Sequence, residues 1–163
     1  MLTEAKVDFS HGLLFVYDKE ASGQTPDFTS AHHDQGFARL DSVVGLRTLV
    51  PWGVAQMRVF NTAFVSTASY DRVISVPLYL PSGMVHVDAP VLEGVSFSLQ
   101  PGHYRLVIAQ KFIKDEIPPD PGEEDIDLFF EKMDTPITAS EIIVRDAELT
   151  ADNVLESADV FKM

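Results

Sequence analysis

The stretch Gly94-Val-Ser-Phe-Ser-Leu-Gln-Pro-Gly-His-Tyr-Arg-Leu-Val-Ile-Ala-Gln-Lys111 contains the pattern that decides the fold. Over residues 95–99, apolar residues alternate strictly with polar ones, so an extended chain here has one apolar and one polar face. Residues 100–103, Gln-Pro-Gly-His, then fit a tight turn, because proline presets the first central dihedral angle and glycine accepts a positive φ at the second. Alternation resumes over residues 104–108. Two strands joined by a turn are marginal alone in water, so further strands must cover this pair.

The same alternation recurs along the chain and supplies those strands. Pro77 lies inside one of them and lacks a backbone donor, which predicts an edge strand or a bulge. About seven or eight short strands separated by turn residues predict an all-β protein, and we expect an antiparallel β-sandwich with one or two short helices. The other predicted strands cover residues 13–17, 42–50, 54–60, 71–80, 84–88 and 141–145.

Two segments carry helix signals. Asp27 or Thr29 can cap a helix that ends near residues 37–40. Residues 114–122 contain three prolines and no periodicity, which predicts a loop. After this loop, four apolar residues follow a helical spacing and predict a short helix over residues 123–133: Ile126, Phe129, Phe130 and Met133.

Size and composition favour a single domain over residues 1–163, in which the acidic loop and helix form an insertion at about residues 114–136. The chain has no cysteine, which excludes disulfides, thiolate chemistry and cysteine-based metal sites. The N-terminus has neither a basic nor an apolar targeting region, and no apolar run approaches the length of a membrane-spanning helix. These features predict a cytoplasmic protein.

The formal net charge of −13 lies almost entirely in the last third of the chain. Residues 1–114 hold 10 acidic and 9 basic side chains, a net of −1, whereas residues 115–163 hold 15 acidic and 3 basic ones, a net of −12. Such a field repels nucleic acid and membrane surfaces and attracts basic proteins or cations. Direct binding to DNA is therefore not expected.

No catalytic or metal-binding motif is present. The five histidines lack any metal-ligand spacing, and the adjacent pair His32 and His33 would point to different sides of a helix. The nucleophile-elbow, phosphate-loop and dinucleotide-binding glycine patterns are also missing from the sequence. The sequence predicts a protein that is not an enzyme and needs no cofactor or metal.

The acidic stretch is the candidate binding site, and three interpretations remain open for it. Its carboxylates could bind calcium on a sandwich scaffold that recognises lipid or carbohydrate, although the spacing of an EF-hand loop fails at Gly122 and Asp125. They could instead imitate the phosphates expected by a basic protein partner, with two phenylalanines as apolar anchors, or simply form a solvated loop. The candidate partner-binding residues are Asp115, Glu116, Asp120, Glu123, Glu124, Asp125, Asp127, Phe129, Phe130 and Glu131.

Several segments between about residues 13 and 110 resemble the competence protein J family, small bacterial proteins that inhibit the nuclease acting as DNA enters the cell. The similarity extends over most of this region in the same order and with similar spacing, but it includes no catalytic motif. It is carried by Phe15-Val-Tyr17 with Lys19-Glu20, Asp27-Phe-Thr29, Ser69-Tyr-Asp71, Val76-Pro-Leu78, Val95-Ser-Phe-Ser-Leu99 and Pro101-Gly-His-Tyr-Arg-Leu106.

The resemblance implies a nuclease inhibitor or immunity-type protein that occupies the active-site cleft of a basic nuclease. The acidic stretch over residues 115–134 has no counterpart in the similar region, so the resemblance concerns the class of function and not the position of the interface. A calcium-dependent lipid- or carbohydrate-binding module is the alternative.

Overall fold

Two β-sheets packed on a shared core make up most of the computed structural model, which describes residues 1–66, 69–90 and 92–161. Among these residues the structure has eleven strands, and the predicted all-β sandwich is confirmed. The strands are β1 (Thr3–Phe9), β2 (Leu13–Asp18), β3 (Phe37–Leu40), β4 (Val43–Arg47), β5 (Gly53–Phe60), β6 (Arg72–Leu80), β7 (Met84–Asp88), β8 (Val95–Ser98), β9 (Gly102–Lys114), β10 (Gly122–Met133) and β11 (Glu141–Val144).

The larger sheet has six strands in the order β1-β5-β10-β9-β6-β11, and the smaller has five in the order β3-β4-β2-β7-β8. Neighbouring strands are antiparallel except β5 and β10, which are parallel. The inner faces of both sheets supply one apolar cluster, in which Met57 and Phe130 from the larger sheet pack with Leu46 and Val16 from the smaller. No helix in the described part of the chain is long and apolar enough to cross a membrane.

The two strands within residues 94–111 lie in different sheets. β8 forms an edge of the smaller sheet, whereas β9 lies inside the larger one, between β6 and β10. The turn between them therefore carries the chain across the sandwich. Gly102 has a φ of 149°, and the Tyr104 hydroxyl donates a hydrogen bond to the Gln100 carbonyl at 2.6 Å.

Pro77 lies in a strand that has a neighbour on both sides for only part of its length. β9 pairs with all of β6, but β11 pairs only with the stretch from Val73 to Ser75. The half of β6 that contains Pro77 is therefore an edge on that side. Proline is tolerated there because no strand on that side needs a backbone hydrogen bond from its nitrogen.

The helix predicted over residues 123–133 is wrong, because this stretch is β10, which lies between β5 and β9 in the larger sheet. Ile126, Leu128 and Phe130 face the core with a period of two. This alternation is hard to recognise in the sequence because charged residues of the same strand are also buried. Glu124 is on the same inner face, and Asp127 on the outer face is also buried. The helical spacing of the apolar residues is coincidental.

The early helix is confirmed but short. α1 (Ser30–Gln35) begins after Thr29, which forms a capping box with His32, and ends at Gly36 in the left-handed conformation. Glycine is favoured there because its φ of 85° strains other residues. The C-terminal segment, residues 145–161, forms no helix or strand and lies beside α1 and β3. Its Ala158 N–H donates to the Arg39 carbonyl, so it covers part of the free edge of β3.

A buried arginine ties this C-terminal segment to the larger sheet. Arg72 on β6 is fully buried, and its guanidinium donates to the Arg47 carbonyl at 2.8 Å and to Asp146 at 2.8 Å. Glu148 lies 3.4 Å from the same nitrogen as Asp146. An unpaired buried charge is costly, so these two carboxylates make the C-terminal segment part of the folded structure.

We expect Asp146→Ala to lower the free energy of unfolding by about 3 kcal/mol, the lower end of the range for a broken buried ion pair, because Glu148 still contacts Arg72. Urea denaturation followed by circular dichroism measures this. Asp152→Ala is the control, since Asp152 is exposed and should change stability by less than about 0.5 kcal/mol. Equal effects of the two substitutions would contradict the role of Asp146.

Candidate functional site

The end of β9 and its tight connection to β10 form a unit that we call the β9–β10 tip, residues 112–121. Ile117 and Asp120 donate backbone hydrogen bonds to each other's carbonyls, at 3.2 and 2.6 Å. The tip is also bonded to Trp52, whose N–H donates to the Glu116 carboxylate at 3.2 Å and whose carbonyl accepts from Gly122 at 3.2 Å. Its position is thus set by the start of β5.

Large apolar side chains are exposed on this tip. Ile117 is 67% exposed, Ile113 is 47% exposed and Phe112 is 41% exposed, and neighbouring Trp52 is 37% exposed. Four large apolar residues are thus exposed within one bonded unit, which makes the tip a candidate contact surface. Aromatic anchors of this kind contribute strongly to protein interfaces.

The predicted carboxylates fall into three groups: those of the tip, the accessible ones on the outer face of β10, and the buried pair Glu124 and Asp127. Asp115 and Asp120 are exposed on the tip, and Glu116 is half-buried beside Trp52. The carboxylates on the outer face of β10 lie near basic side chains of neighbouring strands. Their partners are Lys114 for Glu123 at 4.0 Å, Arg58 for Asp125 at 3.9 Å and Arg105 for Glu131 at 3.8 Å. The negative field of this strand is therefore partly neutralised by the protein itself.

Four predicted contact residues are buried and are removed from the candidate interface. Phe130 lies in the core between the sheets, and Phe129 stacks on Phe60 with ring centroids 4.7 Å apart. Glu124 and Asp127 are 1% and 3% exposed. The sequence could not separate them from the exposed carboxylates, because buried charges depend on partners from distant strands.

Asp127 belongs to a polar cluster on the outer face of the larger sheet. Arg58 donates to both oxygens of Asp127, at 2.7 and 3.2 Å, and the Tyr70 hydroxyl donates at 2.7 Å. Burial and the bond to Asp127 raise the pKa of Tyr70 to about 12. This arrangement satisfies the carboxylate and holds the segment before β6 against the sheet, so it stabilises the fold and is not offered to a partner.

A second cluster lies between the sheets beneath Trp52. After β4, the chain crosses from the smaller sheet to the larger through what we call the crossover segment, residues 47–52. The Leu49 N–H donates to the Glu124 carboxyl at 2.5 Å. Burial raises the pKa of Glu124 to about 7, against the lowering effect of hydrogen bonds from Leu49 and Gln110 and of the charge on Arg72.

A cleft of about 460 Å³ borders the base of the tip on the outer face of the larger sheet. Ile113 forms one apolar wall, and the charged side chains around it are mostly acidic. Its charged lining residues are Asp8, Glu123, Glu124 and Asp125, with Lys6 as the basic member. A concave acidic surface next to exposed apolar residues suits the basic side chains of a protein.

Sequence reasoning missed the apolar members of this surface. Trp52, Phe112, Ile113 and Ile117 lie in predicted loops or strand ends, where alternation gives no information about exposure. A signal was nevertheless available, because a Pro-rich acidic loop that contains isoleucine is unusual for a solvated linker. Among the described residues, no group of three or more His, Asp or Glu side chains is placed to hold a metal ion.

Comparison with known proteins gives two kinds of match. A family model described as Competence protein J (ComJ) matches residues 6–131. The crystal structure of ComJ from Bacillus subtilis, described as an inhibitor of the DNA degrading activity of NucA, gives a TM-score of 0.61 at 18% identity, covering 78% of this chain and 95% of that chain. A structure described as crocagin biosynthetic gene J gives 0.47 at 18% identity, covering 77% and 94%. The search of curated proteins found no match.

The close approach of two backbones at the tip gives a test of its architecture. A Cβ atom on Gly53 would lie 2.1 Å from the Gly122 carbonyl oxygen, so Gly53→Ala must push β5 and β10 apart. We expect a loss of stability of about 1–3 kcal/mol, as for other overpacked sites. The fluorescence of Trp52, the chain's single tryptophan, should also change. Gln24→Ala is the control, since Gln24 is exposed and lies far from this contact along the chain. Unchanged Trp52 fluorescence in Gly53→Ala would contradict the close contact between the starts of β5 and β10.

Proposed function

Because the chain belongs to the competence protein J family, we propose that it is an inhibitor that binds a DNA-degrading nuclease and blocks it by protein–protein contact. The family match over residues 6–131 carries this proposal. The related fold of Bacillus subtilis ComJ, described as an inhibitor of a DNA-degrading activity, is consistent with it. The partner is a protein with a basic cleft, as an enzyme that binds a polynucleotide must have.

The contact surface in this proposal is the β9–β10 tip together with Trp52. Exposed Ile117 and Phe112 offer apolar anchors, and Asp115 and Asp120 offer carboxylates without a basic neighbour among the ion pairs of the described residues. A rigid projection that combines the two can enter a cleft and place negative charge where a phosphate would lie. The acidic cleft at its base adds a site for basic side chains.

The strand carboxylates have a smaller part in this interface than the sequence alone predicts. Glu123, Asp125 and Glu131 lie within 4.0 Å of basic side chains, so they contribute mainly to the long-range field. The net charge of −13 still makes the whole molecule negative. Such a field speeds encounter with a basic partner, whereas the tip decides how long the complex lasts.

We expect Ile117→Ser combined with Asp115→Asn and Asp120→Asn to weaken inhibition at least tenfold, because the substitutions remove an exposed anchor and two charges. Inhibition is measured by titrating the protein against a DNA-degrading nuclease encoded in the same genome. Thermal stability should hardly change, since all three side chains are exposed.

The matched control is Asp41→Asn with Asp134→Asn. Asp134 follows the end of β10 opposite the tip, and Asp41 lies beside a cleft that includes His103, at the start of β9. Both are exposed, and the control removes the same charge as the tip variant. Inhibition lost equally in control and tip variants would contradict the assignment of the tip, and inhibition absent from the wild-type protein would contradict the function.

Ionic strength gives a separate test of the field. We expect the association rate with the nuclease to fall by about tenfold or more between low salt and about 0.5 M salt, because screening shortens the reach of surface charge. The dissociation rate should change less, since apolar contacts hold the complex. Both rates are measured by stopped flow. An association rate that does not change with salt concentration would contradict steering by the acidic surface.

A further inference from the structure

The crossover segment takes backbone polar groups through the protein interior, and three side chains of the larger sheet satisfy them. Arg72 and the Gln110 amide nitrogen both donate to the Arg47 carbonyl, at 2.8 and 3.0 Å. The Glu124 carboxyl accepts from the Leu49 N–H. All three side chains are at most 1% exposed, so water cannot replace these bonds.

Two oxygen atoms in this cluster lack a hydrogen-bond partner when Glu124 is ionised. They are Glu124 Oε1 and Gln110 Oε1, and both are buried. The Gln110 amide nitrogen donates to the Arg47 carbonyl, and as a donor beside Glu124 it lowers the pKa of that carboxyl, against the raising effect of burial. The bare, buried Glu124 Oε1 is costly in the ionised form, whereas a proton on the carboxyl removes the charge from the interior.

The charge on Arg72 favours the ionised form of Glu124, but this arginine already has two acidic partners. Arg72 on β6 is directed at Asp146 and Glu148, and the Arg47 side chain on β4 lies 3.0 Å from Glu148. Two cations and two anions are therefore already matched, and an ionised Glu124 would add an excess negative charge. Its row neighbours on β5 and β1 are apolar Ala55 and Val7. The charged side chains of β1, Lys6 and Asp8, line the cleft on the outer face.

We propose that Glu124 is a proton-dependent latch on the crossover segment. When it is protonated, its carboxyl is neutral and accepts from Leu49, which holds Trp52 in place at the base of the tip. When it is ionised, the buried charge and the unpaired carboxylate oxygen draw water between the sheets and loosen the crossover segment. The consequence for nuclease binding rests on the proposed function: inhibition is stronger with the latch protonated.

Three contacts connect Glu124 to the candidate interface. Leu49 is bonded to Glu124, and three residues further on Trp52 is bonded to Glu116 and Gly122 of the tip region. The pKa of about 7 places the transition close to neutral pH. The folded protein holds this proton more tightly than the unfolded chain. The stabilisation from Glu124 is therefore complete below about pH 4.5 and is lost as pH rises through about 7.

The test of the latch needs no partner. Trp52 fluorescence is measured from pH 5 to 9 in the wild-type protein, in Glu124→Gln and in the control Asp125→Asn, whose side chain lies on the outer face. We expect a sigmoidal change with a midpoint near 7 in wild type and control, and a flat profile in Glu124→Gln, which keeps the shape and cannot ionise. His11→Gln should leave the transition intact, although His11 lines the same cleft as Pro51.

Direct observation of the proton covers the case in which Glu124→Gln does not fold. The carbon-13 shift of the Glu124 side-chain carboxyl should titrate near pH 7, far above an exposed glutamate. A normal titration near 4.5, a wild-type fluorescence profile without a transition, or the same transition in folded Glu124→Gln would each overturn the latch.

Nuclease binding then separates the latch from the proposed function. For each protein, the ratio of nuclease affinity at pH 6 to nuclease affinity at pH 8 is measured. We expect this ratio to be about fivefold larger in the wild-type protein than in Glu124→Gln. Dividing one ratio by the other removes the pH dependence of the nuclease itself. A Glu124-dependent fluorescence transition without nuclease binding at either pH supports the latch and contradicts the proposed function. Binding with a corrected ratio of one contradicts the coupling of the latch to the interface.

Discussion

The passage of the chain from one sheet to the other is the constraint on which this structure depends. A sandwich keeps its interior apolar, yet the crossover segment must carry peptide groups through it, and each buried peptide group needs a partner. Arg72, Gln110 and Glu124 provide those partners from the inner face of the larger sheet. Two of these side chains have a further requirement, because a buried guanidinium needs a counter-charge and a buried carboxyl needs either a cation or a proton.

The counter-charge for Arg72 comes from outside the part of the chain that the family model matches. Asp146 and Glu148 lie beyond residue 131, on the C-terminal segment that also covers the free edge of β3. This segment contributes few buried apolar side chains, Leu149 being the main one. Its attachment is chiefly polar, through main-chain hydrogen bonds and carboxylates. The main contribution of this segment to the fold is thus the counter-charge for Arg72, and hydrophobic burial contributes less.

The same cluster links the core to the proposed interface. Glu124 holds the crossover segment, the crossover segment ends at Trp52, and Trp52 is bonded to the β9–β10 tip. A projection presented to a partner must keep its shape, since ordering it during binding would lower the affinity. Backbone pairing of β5 with β10 and the close contact of their first glycines provide that rigidity. The outer carboxylates of β10, which lie within 4.0 Å of basic side chains on neighbouring strands, contribute charge to this surface.

The sequence by itself determined the sandwich class, the positions of most strands and the acidic character of the C-terminal third, because alternation and composition are local properties. It also carried the resemblance to the family. Only the tertiary structure decided that residues 122–133 form a central strand, that Glu124 and Asp127 are buried while Asp115 and Asp120 are exposed, and that Trp52 joins the tip. The physical reason is that a charged residue is buried only when distant strands bring it a partner, and spacing along the chain does not encode such partners.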